Sequence, residues 1–214
     1  MNDSYLEASS LRRLPKQARS KQKVNRILDA AAEIFLEVGY SEATTHMIAA
    51  RANTAIGSLY QFFADKQAIF QALELRHIER GRSLGENIFS LEKAKLPLEE
   101  FVEQMVEQCV QFFELPASRA IFMQYFTNAS LFLHIDDSFT QEFVKLLSGI
   151  LLQMNPALSS QRCYLFADVC MQCFNTMMLK AIQSDASYRQ SLLKQTKELL
   201  IAYLYPHIKA SQRR

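Results

Sequence analysis

The stretch from Thr44 to Lys66, TTHMIAARANTAIGSLYQFFADK, constrains this chain more than any other. Thr44 and Thr45 open a short helix, Asn53 to Ala55 form a turn, and a second short helix follows through Phe63. Two helices joined this tightly cross steeply, so the second projects its N-terminal end outward, the geometry that fits a helix into the major groove of DNA. Asp65 is suited to cap a following helix and places Lys66 in its first turn. There the positive end of the helix dipole disfavours a cation by roughly 0.3–1 kcal/mol, and a bound phosphate would reverse that sign.

The segments on either side read as support. Val24, Ile27, Leu28, Ala31, Ile34, Phe35 and Val38 recur at three- and four-residue steps, which predicts an amphipathic helix from Gln22 that Gly39 stops. With Ile48, Ala49 and Ala52 facing Leu59, Phe62 and Phe63, this makes a small three-helix core. Such a unit is marginal alone. The helix from Lys66 to about Glu79 starts in this module and ends beyond it, so it is the natural connector. Gly81 and Gly85 are expected to loosen the chain before a short helix around Asn87 to Lys93.

Further periodic segments follow: Phe101, Met105, Cys109 and Phe112 up to a break at Pro116, then a helix around Ser118 to Leu131. Another starts at Asp136, Asp137 and Ser138 and is ended by Asn155 and Pro156. From Gln161 to Gln183 nearly every side is apolar, so that helix must be covered all round. The last helix, Ser187 to Tyr205, has a broad apolar face. Pairing both with their copies in a second subunit would bury these surfaces as a four-helix bundle.

Composition limits the alternatives. Five Gly and five Pro among 214 residues are few for a chain rich in hairpin turns, so an all-helical fold is favoured. The longest apolar run, the seven residues Leu199 to Tyr205, is far short of the roughly 20 that span a bilayer, and the N-terminus lacks the apolar stretch of a signal peptide. The expectation is a cytoplasmic protein without membrane contact. Net charge is only +2, so a nucleic-acid partner must be held locally. Local charge exists: between Leu11 and Arg26 there are seven Lys or Arg and no acid. Such a run is either a solvated tail or a DNA contact, and its place before a helix-turn-helix favours the second.

In residues 21–80, ILDAAAEIFLEVGYSEATTHMIAARANTAIGSLYQFFADKQAIF carries a helix, Gly, Thr-Thr, Ile-Ala, Gly-x-Leu-Tyr-x-x-Phe and Lys in an order and spacing that resembles the tetracycline-repressor (TetR) family of bacterial transcription regulators. Beyond residue 80 only length and helicity agree. The resemblance implies an all-α homodimer with a helix-turn-helix DNA-binding domain and a larger helical C-terminal domain that binds a small effector and dimerises through its last two helices. The expected divisions are a flexible basic arm over 1–20, the DNA-binding domain over 21–81 and the effector-binding and dimerisation domain over 82–214. By motif position Thr44 or Thr45, Ser58, Tyr60 and Lys66 are implied as phosphate contacts, and His46, Ile56, Gly57 and Gln61 as groove-facing positions. The chemistry agrees: hydroxyls, a phenol and an ammonium suit phosphates, whereas His46 and Gln61 can bond base edges and Ile56 can touch a thymine methyl. Where the family has Gly-Val-Ser in the turn, this chain has Asn53, Thr54 and Ala55. Asn can adopt the left-handed conformation, but Ala55 has no side chain to cap the second helix.

The function expected is a ligand-responsive, dimeric repressor released from a palindromic double-stranded operator. Aromatic and flexible side chains with a few polar groups suit an adaptable apolar cavity for a hydrophobic or aromatic effector. The candidate residues are Phe101, Met105, Phe122, Gln124 and Phe126, with Asn128, Phe174, Asn175 and Met178; core packing is the plainer reading of each. The alternatives are an activator of the same fold and a helical sensor dimer indifferent to DNA. Cys170-x-x-Cys173 lacks the second pair a zinc site needs. His46, His77, His134 and His207 show no metal-ligand spacing. Ser20-x-x-Lys23 and Ser90-x-x-Lys93 lack the companion motifs of acyl-transfer enzymes. No catalytic residue, metal or cofactor is expected.

Overall fold

The computed structural model describes residues 11–132 and 137–209, and among these it is all-helical. The helices are α1 (Ala18–Glu42), α2 (Thr45–Arg51), α3 (Ile56–Tyr60), α4 (Lys66–Ile88), α5 (Leu98–Glu114), α6 (Pro116–Thr127), α7 (Asp137–Met154), α8 (Ser160–Ile182) and α9 (Ala186–Lys209). They form two compact units, residues 11–81 with 113–132 and residues 82–112 with 137–209.

In the first unit α1 packs against α2 and, on another side, against α6. Ile27, Leu28 and Phe35 of α1, Ile48 of α2, Leu59 of α3, Phe63, and Ile69, Phe70 and Leu73 of α4 are buried in its core. Each large apolar side chain removed from water contributes about 1.5–3 kcal/mol. Phe70 meets Phe35, Tyr40 and Phe132 edge-on or nearly so, with ring centroids 5.2–5.8 Å apart. A salt bridge of 2.9 Å from the buried Arg76 to Asp29 ties α4 to α1. Packing therefore groups α6 with the helix-turn-helix, whereas the sequence reading puts everything after residue 81 in the C-terminal domain. α6 packs on α1, a partner too distant in the chain for periodicity to reveal.

The second unit is built on α8, which packs along both α7 and α9. Val144, Leu147 and Leu151 of α7, Cys163, Ala167, Cys170 and Phe174 of α8, and Leu200 and Leu204 of α9 are buried. Arg82 donates twice to Glu142, at 2.9 and 2.7 Å, joining the end of α4 to α7. Lys197 pairs with Glu103 and, at 3.6 Å, with Glu107, joining α9 to α5. Asn155 is buried; its amide donates to the His207 carbonyl at 2.7 Å and its oxygen accepts from the Ala157 N–H at 3.1 Å. The residue expected to end α7 thus also clasps α9. No described helix is long and apolar enough to cross a membrane.

Several boundaries differ from the sequence reading. α1 starts at Ala18, so the last residues of the expected flexible arm are helical; residues 1–10 lie outside the described ones, as do His134 and Asp136. Gly39 breaks α1 as expected, with φ +79°. Gly81 and Gly85 do not loosen the chain: α4 runs through both to Ile88, and Lys93–Lys95 is only a 3₁₀ turn. α7 comes close at Gly85, since a Cβ there would lie 3.0 Å from the Phe143 ring. α3 ends at Tyr60, and the turn after it is closed by the N–H groups of Phe62 and Phe63, which both donate to the Leu59 carbonyl at 3.0 Å. α6 begins earlier, with Pro116 at its first position, and stops at Thr127. α9 continues past Pro206, which forfeits one helical bond because proline has no N–H to give.

Candidate nucleic-acid interface

Local chemistry shapes the helix-turn-helix. Thr44 caps α2, its hydroxyl accepting the Met47 N–H at 3.2 Å. Asn53 takes the left-handed turn position with φ +47°, the role available to asparagine in place of glycine. No side chain caps α3; its first turn is closed by the Ser58 and Leu59 N–H groups, which donate to the Ala55 carbonyl at 2.8 and 3.2 Å. Asp65 caps α4 through the Ala68 N–H at 2.8 Å. Arg51 bonds Glu33 at 3.0 Å and grips Glu37 at 2.8 and 2.7 Å, fixing α2 on α1. Its guanidinium holds the Glu37 carboxyl below the usual carboxylate range. The sequence reading missed this clamp, whose members are 14 and 18 residues apart.

The expected contacts fall into distinct groups. With Thr44 engaged as a cap, Thr45 is the threonine whose hydroxyl reaches Tyr60, at 2.9 Å. Tyr60 is exposed, so this pair presents two hydroxyls at the surface. His46, Gly57 and Gln61 are exposed, and Ile56 and Ser58 half-buried. Gly57 has an ordinary negative φ, and a Cβ added to it would meet nothing within 4 Å. Among the described residues neither backbone conformation nor packing asks for glycine there.

Lys66 has internal partners. Its ammonium donates to the carbonyls of Tyr40 and Ser41, at 2.6 and 2.9 Å, and lies 4.5 Å from the centre of the Tyr40 ring. From the sequence, a bound phosphate is expected to offset the dipole of α4. Within the chain, carbonyls at the end of α1 offset it, supplied by residues 25 and 26 positions away.

The residues expected around an effector divide between the units. Phe122, Gln124, Phe126 and Asn128 belong to the first, where Phe122 packs against Phe113 and Phe126 with ring centroids 4.3 and 5.1 Å apart. Phe101, Met105, Phe174, Asn175 and Met178 belong to the second. A cavity of about 30 Å³ in the second unit is lined by Leu84, Ile88, Phe89, Met105, Cys109, Phe143, Leu147, Cys170, Met171 and Phe174. Of the expected residues only Met105 and Phe174 border it. Phe101 is buried in the core, a packing role that its periodicity did not separate from a lining one. Burial pushes the Cys170 thiol up to about 12, so it stays protonated and inert. No cluster of three or more His, Cys, Asp or Glu among the described residues could hold a metal ion.

Comparison with known proteins agrees with this arrangement. Residues 27–73 match the family model described as bacterial regulatory proteins, tetR family, and residues 97–204 match that described as tetracyclin repressor-like, C-terminal domain. The A-factor receptor protein of Streptomyces griseus is 45% identical over 60 residues, 28% of this chain and 22% of that protein. The HTH-type transcriptional regulator UidR of Escherichia coli K12 is 34% identical over 96 residues, 44% of each. The chain thus spans less than half the length of these curated relatives. Among solved structures, a TetR-family transcriptional regulator from Streptomyces coelicolor is 25% identical with a TM-score of 0.53, covering 86% of this chain and 98% of that one. The fatty acid degradation regulator FadR from Bacillus halodurans shares the fold, with a TM-score of 0.63 at 21% identity over 84% of this chain and 94% of its own.

Proposed function

Because this chain belongs to the tetracycline-repressor-like family of bacterial transcriptional regulators, we propose that it acts as a dimeric repressor that leaves a palindromic operator when a small hydrophobic effector binds. Gly57 carries the reading. Glycine is a weak helix former, and among the described residues nothing requires one here. A DNA surface approaching closely at this exposed position would favour it, and His46 and Gln61 are exposed nearby in the sequence. Thr45 and Tyr60 are suited to phosphates on that face, while His46, Ile56 and Gln61 are suited to bases. Ser58 is the remaining hydroxyl candidate, and Thr44 contributes through its cap.

Dimerisation is supported by apolar side chains left exposed on the last two helices: Tyr164 and Leu165 of α8, Tyr188, Leu199 and Tyr205 of α9. With a second copy covering them, the pair would carry two α3 helices, which read successive half-sites about 34–36 Å apart in dimers of this kind. Effector binding is supported by the apolar lining around Met105 and Phe174. At about 30 Å³ the cavity has room for roughly one water, whereas small-molecule pockets run to about 300–1,000 Å³. An effector must therefore push its walls apart. Methionines yield readily, and Leu84 and Ile88 belong to α4, the helix whose N-terminal part lies in the first unit. Displacing them biases α4 toward a state that no longer fits the operator, a population shift.

The test is a gel shift of the full chain against duplex fragments from its own upstream region, with and without a panel of apolar aromatic and aliphatic compounds. Gly57→Leu should fold normally, since the space beside it is open, yet lose at least tenfold in affinity for every fragment bound. Undiminished binding by this variant would overturn the assignment of the DNA-facing surface, and a bound complex that no apolar compound releases would overturn the effector class.

A further inference from the structure

The basic run that precedes the helix-turn-helix lies upstream of the family match, which begins at residue 27. Its first part is tied to the rest of the unit. Residues 11–17 are extended or bent, Pro15 is buried, and the Arg12 N–H donates to the carbonyl of Phe62 at 2.9 Å. Phe62 follows directly on the exposed Gln61 at the end of α3, so the segment is tied to the last turn of the helix that faces DNA in the reading above. Between the two lies an open groove of about 630 Å³, bordered by Arg12, Arg13, Leu14, Lys16, Ser20 and Phe62.

The charges on this segment are free to act outward. Arg12, Arg13, Lys16 and Arg19 are exposed, and among the described residues none of the four takes a charged partner. The contrast with Arg51 is instructive, since the chain neutralises that cation with two carboxylates. Seven cations with no acid between residues 11 and 26 repel one another, and a polyanion is the partner that turns this repulsion into attraction. Holding the segment by a backbone bond lowers the ordering cost that a loose tail would meet on binding.

We infer that residues 11–19 are a fixed second contact surface for duplex DNA, gripping phosphates beside the footprint of α3, and that the Arg12–Phe62 bond sets its register. This surface rests on the proposed DNA-binding role. It adds affinity without reading sequence, because arginine and lysine contacts to phosphates position a protein on the duplex and do not distinguish bases.

The experiment compares the wild-type full chain with the triple variant Arg12→Ala, Arg13→Ala, Lys16→Ala, measuring affinity for a bound operator fragment and for a random duplex across a salt series. For every phosphate that is no longer neutralised, the slope of log affinity against log salt becomes shallower by about 0.9. The expected result is a slope shallower by about 2–3, at least tenfold weaker binding to both duplexes, and an unchanged ratio between them. The charge-retaining variant Arg12→Lys, Arg13→Lys should keep the wild-type slope, which excludes misfolding as the cause. Arg12→Pro removes the N–H that bonds Phe62, whereas Arg12→Ala keeps it, so the proline variant should bind the operator several-fold more weakly than the alanine one. An unaltered slope in the triple variant, with normal wild-type binding, overturns this surface and leaves the helix-turn-helix reading standing. Equal affinities for the two Arg12 variants overturn the register role. A wild-type chain that binds no duplex even at low salt overturns both.

Discussion

At the scale of single residues, burial decides what a side chain can do whatever its type suggests. His77 lies almost wholly inside the first unit, and desolvation, with the nearby Arg80 charge, pushes its pKa down from 6.5 to about 3. The unfolded chain therefore binds the extra proton more readily than the folded one. Stability contributed by the neutral imidazole is fully present above pH 6.5 and is lost as pH falls toward 3. His77→Gln, which cannot take up a proton, should lose less stability than the wild type between pH 6.5 and 4.5 in urea denaturation. The slopes should differ by up to about 1.4 kcal/mol per pH unit. Parallel slopes would mean that the histidine titrates alike in both states. Lys66 shows that partners matter too: residue type pointed to phosphate, and two of its three N–H donors already meet carbonyls at the end of α1.

At the scale of elements, α4 is the helix on which the proposed response depends. Gly85 lets it approach α7, and an alanine Cβ there would sit 3.0 Å from Phe143 and 3.2 Å from Leu146. Both neighbours are ends of flexible side chains. Leu146 is exposed and can give way outward, while Phe143 borders the cavity and gives way into it. The gain in helix propensity, up to about 1 kcal/mol, opposes the repacking cost. Gly85→Ala should therefore change unfolding stability by less than about 1 kcal/mol yet raise at least threefold the concentration of apolar compound that releases DNA. Titration of the bound complex measures this, and an unshifted release curve would separate the cavity from the response. The elements were themselves legible in the sequence. The three-to-four periodicity, the caps at Thr44 and Asp65, and the break at Gly39 are all set by neighbours within about one turn. The expected loosening at Gly81 and Gly85 came from reading glycine by its local freedom, when at Gly85 it answers a neighbour from α7.

At the scale of the whole molecule, the surface left uncovered on α8 and α9 is the largest consequence for behaviour in solution. Leu165 is 58% exposed and Leu199 46%, which leaves apolar area that a second copy would cover. Leu165→Glu with Leu199→Glu should shift the chain to a monomer in analytical ultracentrifugation and weaken operator binding by well over tenfold, because one helix-turn-helix would then meet one half-site alone. An intact dimer in that variant would remove these helices from the interface. The sequence by itself determined most of the helices, the helix-turn-helix and the types of side chain it exposes, because hydrophobic period, capping and turn chemistry act between residues a few positions apart. Only the tertiary structure decided that α6 packs with α1, that Lys66 serves α1, that the basic segment is tied to Phe62, and that the cavity beside Met105 is nearly closed. Each of these depends on which distant surfaces meet and how tightly they fill the space between them, and no local pattern in a chain carries that information.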